Sequence, residues 1–126
     1  MWIFTEDSFL SVVRHRDDPE RLLVRARIRE DLERFCRMAG LDNGEIHETP
    51  EADYRFRVEV PEETFINFMV QTIKFLDYDN FKNRALYNPD DPPAVRRSRA
   101  AAYHDIWLRL LEMQHSALSA QNAEGL

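Results

Sequence analysis

The sequence is poor in cysteine, glycine and lysine, and it contains no long run of apolar residues. Cys36 is the single cysteine, so the chain cannot form an internal disulfide, which favours a cytoplasmic location. The longest apolar runs are three or four residues, too short to cross a membrane. The acidic pair Glu6 and Asp7 stands where a signal peptide needs Lys or Arg, so we expect no cleaved leader.

The composition is that of a soluble globular protein. Hydrophobic residues make up 44% of the 126 positions and charged residues 32%. This length predicts one domain, over residues 1–118, followed by a flexible tail over residues 119–126 that has little to bury. The formal net charge of −6 argues against broad, nonspecific binding to DNA.

Several segments alternate apolar and polar residues with the period of two that is typical of a half-buried strand. Residues 2–5 and 9–14 flank a turn and predict a hairpin. Residues 21–29 and 54–60 predict two longer strands, and residues 45–49 predict a short edge strand. The apolar faces of the two longer strands comprise Leu22, Val24, Ala26 and Ile28 in the first and Tyr54, Phe56, Val58 and Val60 in the second.

Other segments show helical periodicity. Residues 31–39 predict a helix that ends at Gly40, and Pro61 with two glutamates opens a second helix. Residues 81–86 continue after a break, and a last helix is predicted from Ala94 to about Leu118. Its stripe comprises Tyr103, Ile106, Trp107, Leu110, Leu111, Gln114 and Leu118. We expect this stripe to pack on the core and to bury Trp107.

The order of these elements predicts an α+β fold, with an antiparallel sheet and helices mainly on one face. If the opening hairpin counts as one sheet element, the order is ββαββα plus a C-terminal helix. This order is a circular permutation of the ferredoxin-like order βαββαβ.

Three motifs occur in a fixed order along the chain: MWIFT followed by FLSVV at residues 1–13, DYDNFK at residues 77–82, and Tyr103 with Ile106-Trp107. They resemble motifs of a group of small bacterial proteins of unassigned function, over nearly the whole chain. The resemblance implies kinship and no particular activity. Ser8 stands where that group often has Gly before Phe. A serine at this position argues against a tight left-handed turn there.

Arginine accounts for fifteen of the seventeen basic residues, and five arginines share one side of two predicted strands. These are Arg25, Arg27 and Arg29 on the first strand and Arg55 and Arg57 on the second. Like charges on neighbouring strands repel, so this face requires an anionic partner. Three partners remain open: the protein's own carboxylates, an acidic protein surface, and the phosphate of a nucleotide or single-stranded nucleic acid. Ferredoxin-like sheets that bind nucleic acid stack the bases on aromatic side chains of the open face. Because we expect Tyr54 and Phe56 on the opposite face, the phosphate alternative is weakened.

No catalytic or metal-binding pattern emerges. His47-Glu48 lacks the second histidine of a zinc protease motif, and Cys36 lies on a predicted buried stripe. Asp77 and Asp79 offer oxygen ligands for Mg²⁺ or Ca²⁺, but a helix-capping turn explains them better. We therefore expect no catalytic residue, no metal site and no cofactor.

These observations favour a small, acidic, non-enzymatic binding or interaction module with a protein partner. A homodimer is also left open, either through an uncovered sheet face or through the last helix with its stripe of Tyr103, Trp107 and Leu111. One alternative is a binder of phosphate ligands or nucleic acid that uses the arginine-lined face. A second is an inhibitor encoded by a mobile element that presents an acidic surface.

Overall fold

The computed structural model describes residues 1–125, which form five strands and four α-helices. The strands are β1 (Trp2–Phe4), β2 (Phe9–Arg14), β3 (Arg21–Ala26), β4 (His47–Glu48) and β5 (Phe56–Pro61). The helices are α1 (Arg29–Ala39), α2 (Glu62–Lys74), α3 (Phe81–Leu86) and α4 (Pro93–Glu124). The predicted α+β class is confirmed.

The strands form one sheet in the order β1-β2-β3-β5-β4, and every neighbouring pair is antiparallel. Strands β3 and β4 therefore run in the same direction with β5 between them, and α1 connects them along the chain. This is a split βαβ unit, the centre of a ferredoxin-like sheet. Strand β2 completes the sheet beside β3 although it precedes β3 in sequence, which is the predicted permutation.

One hydrophobic core joins the sheet to α1 and α2. Phe35 of α1 contacts Phe65 and Phe68 of α2, with ring centroids 5.9 and 4.7 Å apart. The buried members of the cluster are Leu10, Val12, Val24, Ala26, Leu32, Phe35, Cys36, Val58, Val60, Phe65 and Phe68. Because side chains alternate along a strand, the neighbouring strand residues lie on the face that these helices do not cover.

The turn between β1 and β2 forms without a left-handed residue. Among the described residues only Gly40 has a positive φ, so Ser8 needs no glycine-like conformation. The Thr5 and Ser8 hydroxyls lie 2.9 Å apart, and the Ser8 backbone N–H donates to Thr5 Oγ1. Buried Asp31 accepts from the Phe9 N–H at 2.9 Å, while Arg34 donates to the Asp7 carbonyl at 2.7 Å. Helix α1 thus stabilises the turn between β1 and β2 through these two hydrogen bonds.

Strand β3 ends earlier than the alternating pattern predicts. Arg27 and Ile28 form a bend, and Arg29 already belongs to α1, so the predicted strand over residues 21–29 is wrong beyond Ala26. Helix α1 ends as predicted at Gly40, whose φ is 74°. The N–H of Leu41 donates to the Cys36 carbonyl at 2.8 Å, which closes the helix end.

The short helix α3 is capped by Asn80. Asn80 Oδ1 accepts from the Asn83 N–H at 3.0 Å. Asp77 pairs with Arg84 at 3.0 Å, and Arg84 also reaches Glu6 at 2.9 Å. The capping turn is therefore the observed role of this segment. Among residues 1–125 no group of three or more His, Cys, Asp or Glu is arranged to hold a metal ion.

Contacts divide the chain into two compact units, Met1–Ala85 and Leu86–Leu126. The second unit contains α4, whose start is preceded by an extended Pro92 with φ −57° and ψ 149°. Buried Arg99 binds the Asp91 carboxylate at 3.0 Å and donates to Tyr103 Oη at 2.9 Å. The predicted extents of the domain, 1–118, and of the flexible tail stay predictions.

Apolar residues in the later part of α4 and at the end of α2 are exposed. Trp107 of α4 is 52% exposed, so the prediction that it is buried in the core is wrong. Ile73 of α2 and Leu76 just beyond it are exposed as well. Helix α4 continues six residues beyond Leu118 to Glu124, and Leu126 of the predicted tail lies outside the described residues. None of the helices formed by residues 1–125 is long and apolar enough to cross a membrane.

Candidate anion-binding face

The face of the sheet opposite α1 and α2 carries one continuous row of side chains across all five strands. Trp2 pairs with Ser11, Ser11 with Arg25, Arg25 with Arg57, and Arg57 with His47. Residues that pair directly across strands point to the same face, and neighbouring strands lie about 4.8 Å apart. We call these five residues the arginine row. It places two guanidinium groups between an aromatic residue at one edge and an imidazole at the other.

The predicted proximity of the two arginine strands is correct for Arg25 and Arg57. They are direct cross-strand partners at the centre of the sheet. Both are partly buried. Two like charges at this spacing repel each other, and the surroundings or a ligand have to compensate for that repulsion.

Tyr54 lies on this face, and not on the core side as its sequence position suggests. Its ring is 4% exposed, with the guanidinium carbons of Arg25 and Arg27 at 4.5 and 4.4 Å from the ring centroid. These distances are within the range of a cation–π contact. Tyr54 precedes β5 by two residues, so the alternation within the strand does not determine its direction. The prediction that Tyr54 shares the core face is wrong, whereas Phe56 packs against the core as predicted.

Neutral oxygen atoms hold these arginines in place. Arg25 donates to Ser11 Oγ at 2.8 Å, Arg57 to the Tyr54 carbonyl at 3.1 Å, and Arg27 to the Asp53 carbonyl at 3.0 Å. No carboxylate of residues 1–125 forms a salt bridge with any of the three. The Nε atoms of Arg25 and Arg57 are buried and have no hydrogen-bond acceptor among the described atoms.

The other two arginines of the predicted group are already paired. Arg55 Nε donates to Glu48 at 2.7 Å, and Arg29 Nε donates to Glu33 at 2.8 Å along one face of α1. Arg29 lies in a helix, so it cannot continue a strand ladder. The five predicted residues therefore separate into an unpaired set, Arg25, Arg27 and Arg57, and a paired set, Arg29 and Arg55.

The sequence interpretation missed three aromatic residues on this face: Trp2, which belongs to the row, and its neighbours Phe4 and Phe9. Trp2 is 64% exposed, and its ring meets Phe9 edge to face with centroids 5.7 Å apart. Phe4 stacks on Phe9 at 4.5 Å. Only the strand register reveals them, because Trp2 lies opposite Ser11 in a hairpin whose turn length the sequence pattern did not determine. The aromatic residues whose absence weakened the nucleic-acid alternative are thus present on this face.

Cys36 faces the opposite side of the molecule. It is fully buried in the core, and burial is the largest cause that raises the pKa of its thiol from 9.0 to about 11, with smaller contributions from Glu45 and Glu33. The thiol is therefore protonated at neutral pH and is a poor nucleophile.

In comparisons with known proteins, no family model matches the chain, and no curated protein or solved structure is significantly similar to it. The resemblance to small bacterial proteins stays a prediction. The functional argument depends on the geometry of the arginine row.

Proposed function

We propose that this protein is a binding module whose arginine row, with Arg27 and Tyr54 beside it, holds a phosphate-bearing ligand that also carries an aromatic base. A nucleotide and a short single-stranded nucleic acid share this chemistry. The observation that supports the proposal is the row itself, in which Arg25 and Arg57 are direct partners without a carboxylate. The wider prediction of an interaction module is thereby narrowed to one face and one class of ligand.

The two central arginines suit a phosphate group. Guanidinium groups bind phosphate oxygens through paired, charge-assisted hydrogen bonds, and two neighbouring guanidiniums can share one anion. Such an anion would offset the repulsion between Arg25 and Arg57. Ser11 Oγ accepts from Arg25 at 2.8 Å, and because Ser11 is 1% exposed, it positions that guanidinium and does not contact the ligand itself.

The exposed tryptophan suits the base. Trp2 lies two strands from Arg25, which corresponds to about 10 Å across the sheet. A nucleotide can span that separation with its phosphate on the arginines and its base on the indole ring. Stacking of a base on an aromatic side chain contributes about 1–3 kcal/mol. Tyr54 is covered by Arg25 and Arg27, so its role is to orient these arginines.

The overall charge of −6 restricts binding to this face. The acidic remainder of the protein repels a long polyanion. We therefore expect a short ligand and an affinity that decreases steeply with salt concentration.

The first prediction compares two double variants of equal charge change. Arg25→Gln with Arg57→Gln removes the unpaired arginines, and Arg29→Gln with Arg55→Gln removes the paired ones. Binding is measured by fluorescence anisotropy with fluorescein-labelled oligothymidylate at low salt, with unlabelled ATP and inorganic phosphate as competitors. We expect the first variant to lose at least about tenfold in affinity and the second to bind like the parent.

Circular dichroism of both variants provides the folding control. If ATP competes and phosphate does not, both the base and the phosphate contribute, and Trp2→Ala will weaken binding as well. Equal loss in the two double variants would show that net charge alone governs binding. Absence of binding by the parent to all three probes would refute the proposal.

A further inference from the structure

The arginine row has a direction, with an aromatic side chain at one end and nitrogen donors at the other. In order across the sheet, its members are Trp2, Ser11, Arg25, Arg57 and His47. Neighbouring strands lie about 4.8 Å apart, so the row extends about 19 Å from Trp2 to His47. The sheet order thus places three donor side chains in consecutive positions on one side of Ser11.

The aromatic end of the row has room for one base. Proteins that bind single-stranded nucleic acid stack successive bases on several aromatic side chains. Trp2 is 64% exposed, whereas Phe4 and Phe9 beside it are partly buried and stack on each other at 4.5 Å. Tyr54 is covered by two arginines. Among residues 1–125, this face therefore offers one exposed ring for stacking, which suits a single nucleotide better than an oligonucleotide.

The two guanidinium groups at the centre of the row are anchored at different atoms. Arg25 donates to Ser11 Oγ at 2.8 Å, and Arg57 donates to the Tyr54 carbonyl at 3.1 Å. Each guanidinium is therefore oriented by its own acceptor and keeps further N–H groups for a ligand. Two neighbouring phosphates can each accept from one of these arginines.

His47 extends the run of donors by one strand beyond Arg57. It is exposed on β4 and is the direct cross-strand partner of Arg57. The carboxylate next to it in sequence, Glu48, is paired with Arg55 at 2.7 Å. An imidazole donates through an N–H when neutral and carries a positive charge when protonated, so in both forms it can bind a phosphate oxygen.

We propose that the ligand of this face is a nucleoside di- or triphosphate, with its base on Trp2, its first phosphate at Arg25 and its later phosphates at Arg57 and His47. This inference rests on the proposed function and adds the class of nucleotide and its direction along the row. A polynucleotide has a sugar between successive phosphates, whereas a polyphosphate chain presents its phosphates in direct succession. The consecutive donors of the row match the second arrangement.

The second prediction compares AMP, ADP and ATP by isothermal titration calorimetry of the full chain. Low salt and the absence of divalent cations leave the phosphates with their full charge. Because each added phosphate meets a further donor, affinity should increase at least about threefold from AMP to ADP and again from ADP to ATP. His47→Ala should lower the affinity for ATP at least about threefold and leave that for AMP unchanged.

Two further variants test the direction of binding. His15→Ala is the matched control, because His15 lies outside the row and pairs with Glu59 at 3.1 Å, and it should leave the ratio of ATP to AMP affinity unchanged. Trp2→Ala should weaken all three nucleotides by the same factor and leave inorganic tripolyphosphate unaffected. Circular dichroism of each variant checks its folding.

The possible failures are distinguishable. Equal affinities for AMP and ATP would overturn this inference and leave the proposed ligand face in place, as would binding of oligothymidylate without binding of ATP. A loss of AMP and ATP affinity by the same factor in His47→Ala would show that the order of phosphates along the row is wrong. Absence of binding to the nucleotides, tripolyphosphate and oligothymidylate would refute the proposed function together with this inference.

Discussion

At the scale of single residues, Tyr54 shows how one position outside a strand changes the interpretation of a surface. The alternation of residues 54–60 assigns it to the core, but the strand begins at Phe56 and the chain turns before it. Its ring instead contacts the guanidinium groups of Arg25 and Arg27 on the face of the sheet opposite α1 and α2. When assigned to the core, Tyr54 counted against a ligand on the arginine face. In the structure it is one of the residues of that face.

The third prediction concerns the buried thiol of Cys36. Its pKa is about 11 in the folded state against 9.0 for an unperturbed thiol, because burial disfavours the thiolate. The unfolded chain therefore releases this proton first as the pH rises. The stabilising contribution is complete below pH 9 and is lost between pH 9 and about 11, by about 1.4 kcal/mol per pH unit at most.

Urea unfolding of the parent and of Cys36→Ala across this pH range measures the effect. The parent should lose stability more steeply than the variant, and the difference isolates the thiol from tyrosines and lysines that titrate nearby. Parallel pH profiles would show that the thiolate is tolerated in the core.

At the scale of elements, the ends of α1 explain both a success and an error of the sequence interpretation. Gly40 stops the helix in the left-handed conformation that the sequence suggests. The start is different, because Ile28 occupies the N-cap position without a side-chain hydrogen bond. No capping residue marks the start of the helix in the sequence. The alternation of apolar and polar residues therefore continues to Arg29, beyond the end of β3. The structure ends β3 at Ala26 and pairs Arg29 with Glu33.

The fourth prediction tests the end of α1. Gly40→Ala should reduce stability by about 1–2 kcal/mol, because a side chain disfavours a φ of 74°. A Cβ at this position meets no heavy atom within 4 Å, so strain of the backbone is the sole cause. Urea unfolding measures the loss. Gly44→Ala, at a glycine whose φ is negative, is the matched control and should change stability less.

At the scale of the whole molecule, the core is concentrated in the first unit. Phe35, Phe65 and Phe68 meet beneath the sheet, whereas α4 exposes its large apolar residues. The chain therefore combines a packed sheet-and-helix unit with a helix that offers an apolar surface.

The fifth prediction compares two aromatic residues of the chain. Phe35→Ala should cost about 3–5 kcal/mol, because Phe35 is 1% exposed and contacts both aromatic residues of α2. Trp107→Ala should cost much less, because Trp107 is 52% exposed. Urea unfolding followed by circular dichroism gives both values. Equal losses would mean that Trp107 is packed in the monomer.

The sequence by itself determined the α+β class, the hairpin, the order of elements and most core residues. Val24 and Val58 followed directly from a period of two and Cys36 from a period of about 3.6, because these periods report which side of an element faces the core. Gly40 and Asn80 were also readable, since caps and turns are local chemistry.

Only the tertiary structure determined which residues distant in the sequence become neighbours. The arginine row depends on the register of four strand pairs, and register is a long-range property that one strand does not contain. The separation of Arg25 and Arg57 from Arg29 and Arg55 depends on which carboxylates the folded chain brings near. The exposure of Trp107 is likewise not local, because an apolar stripe predicts that a helix packs but does not identify the surface against which it packs.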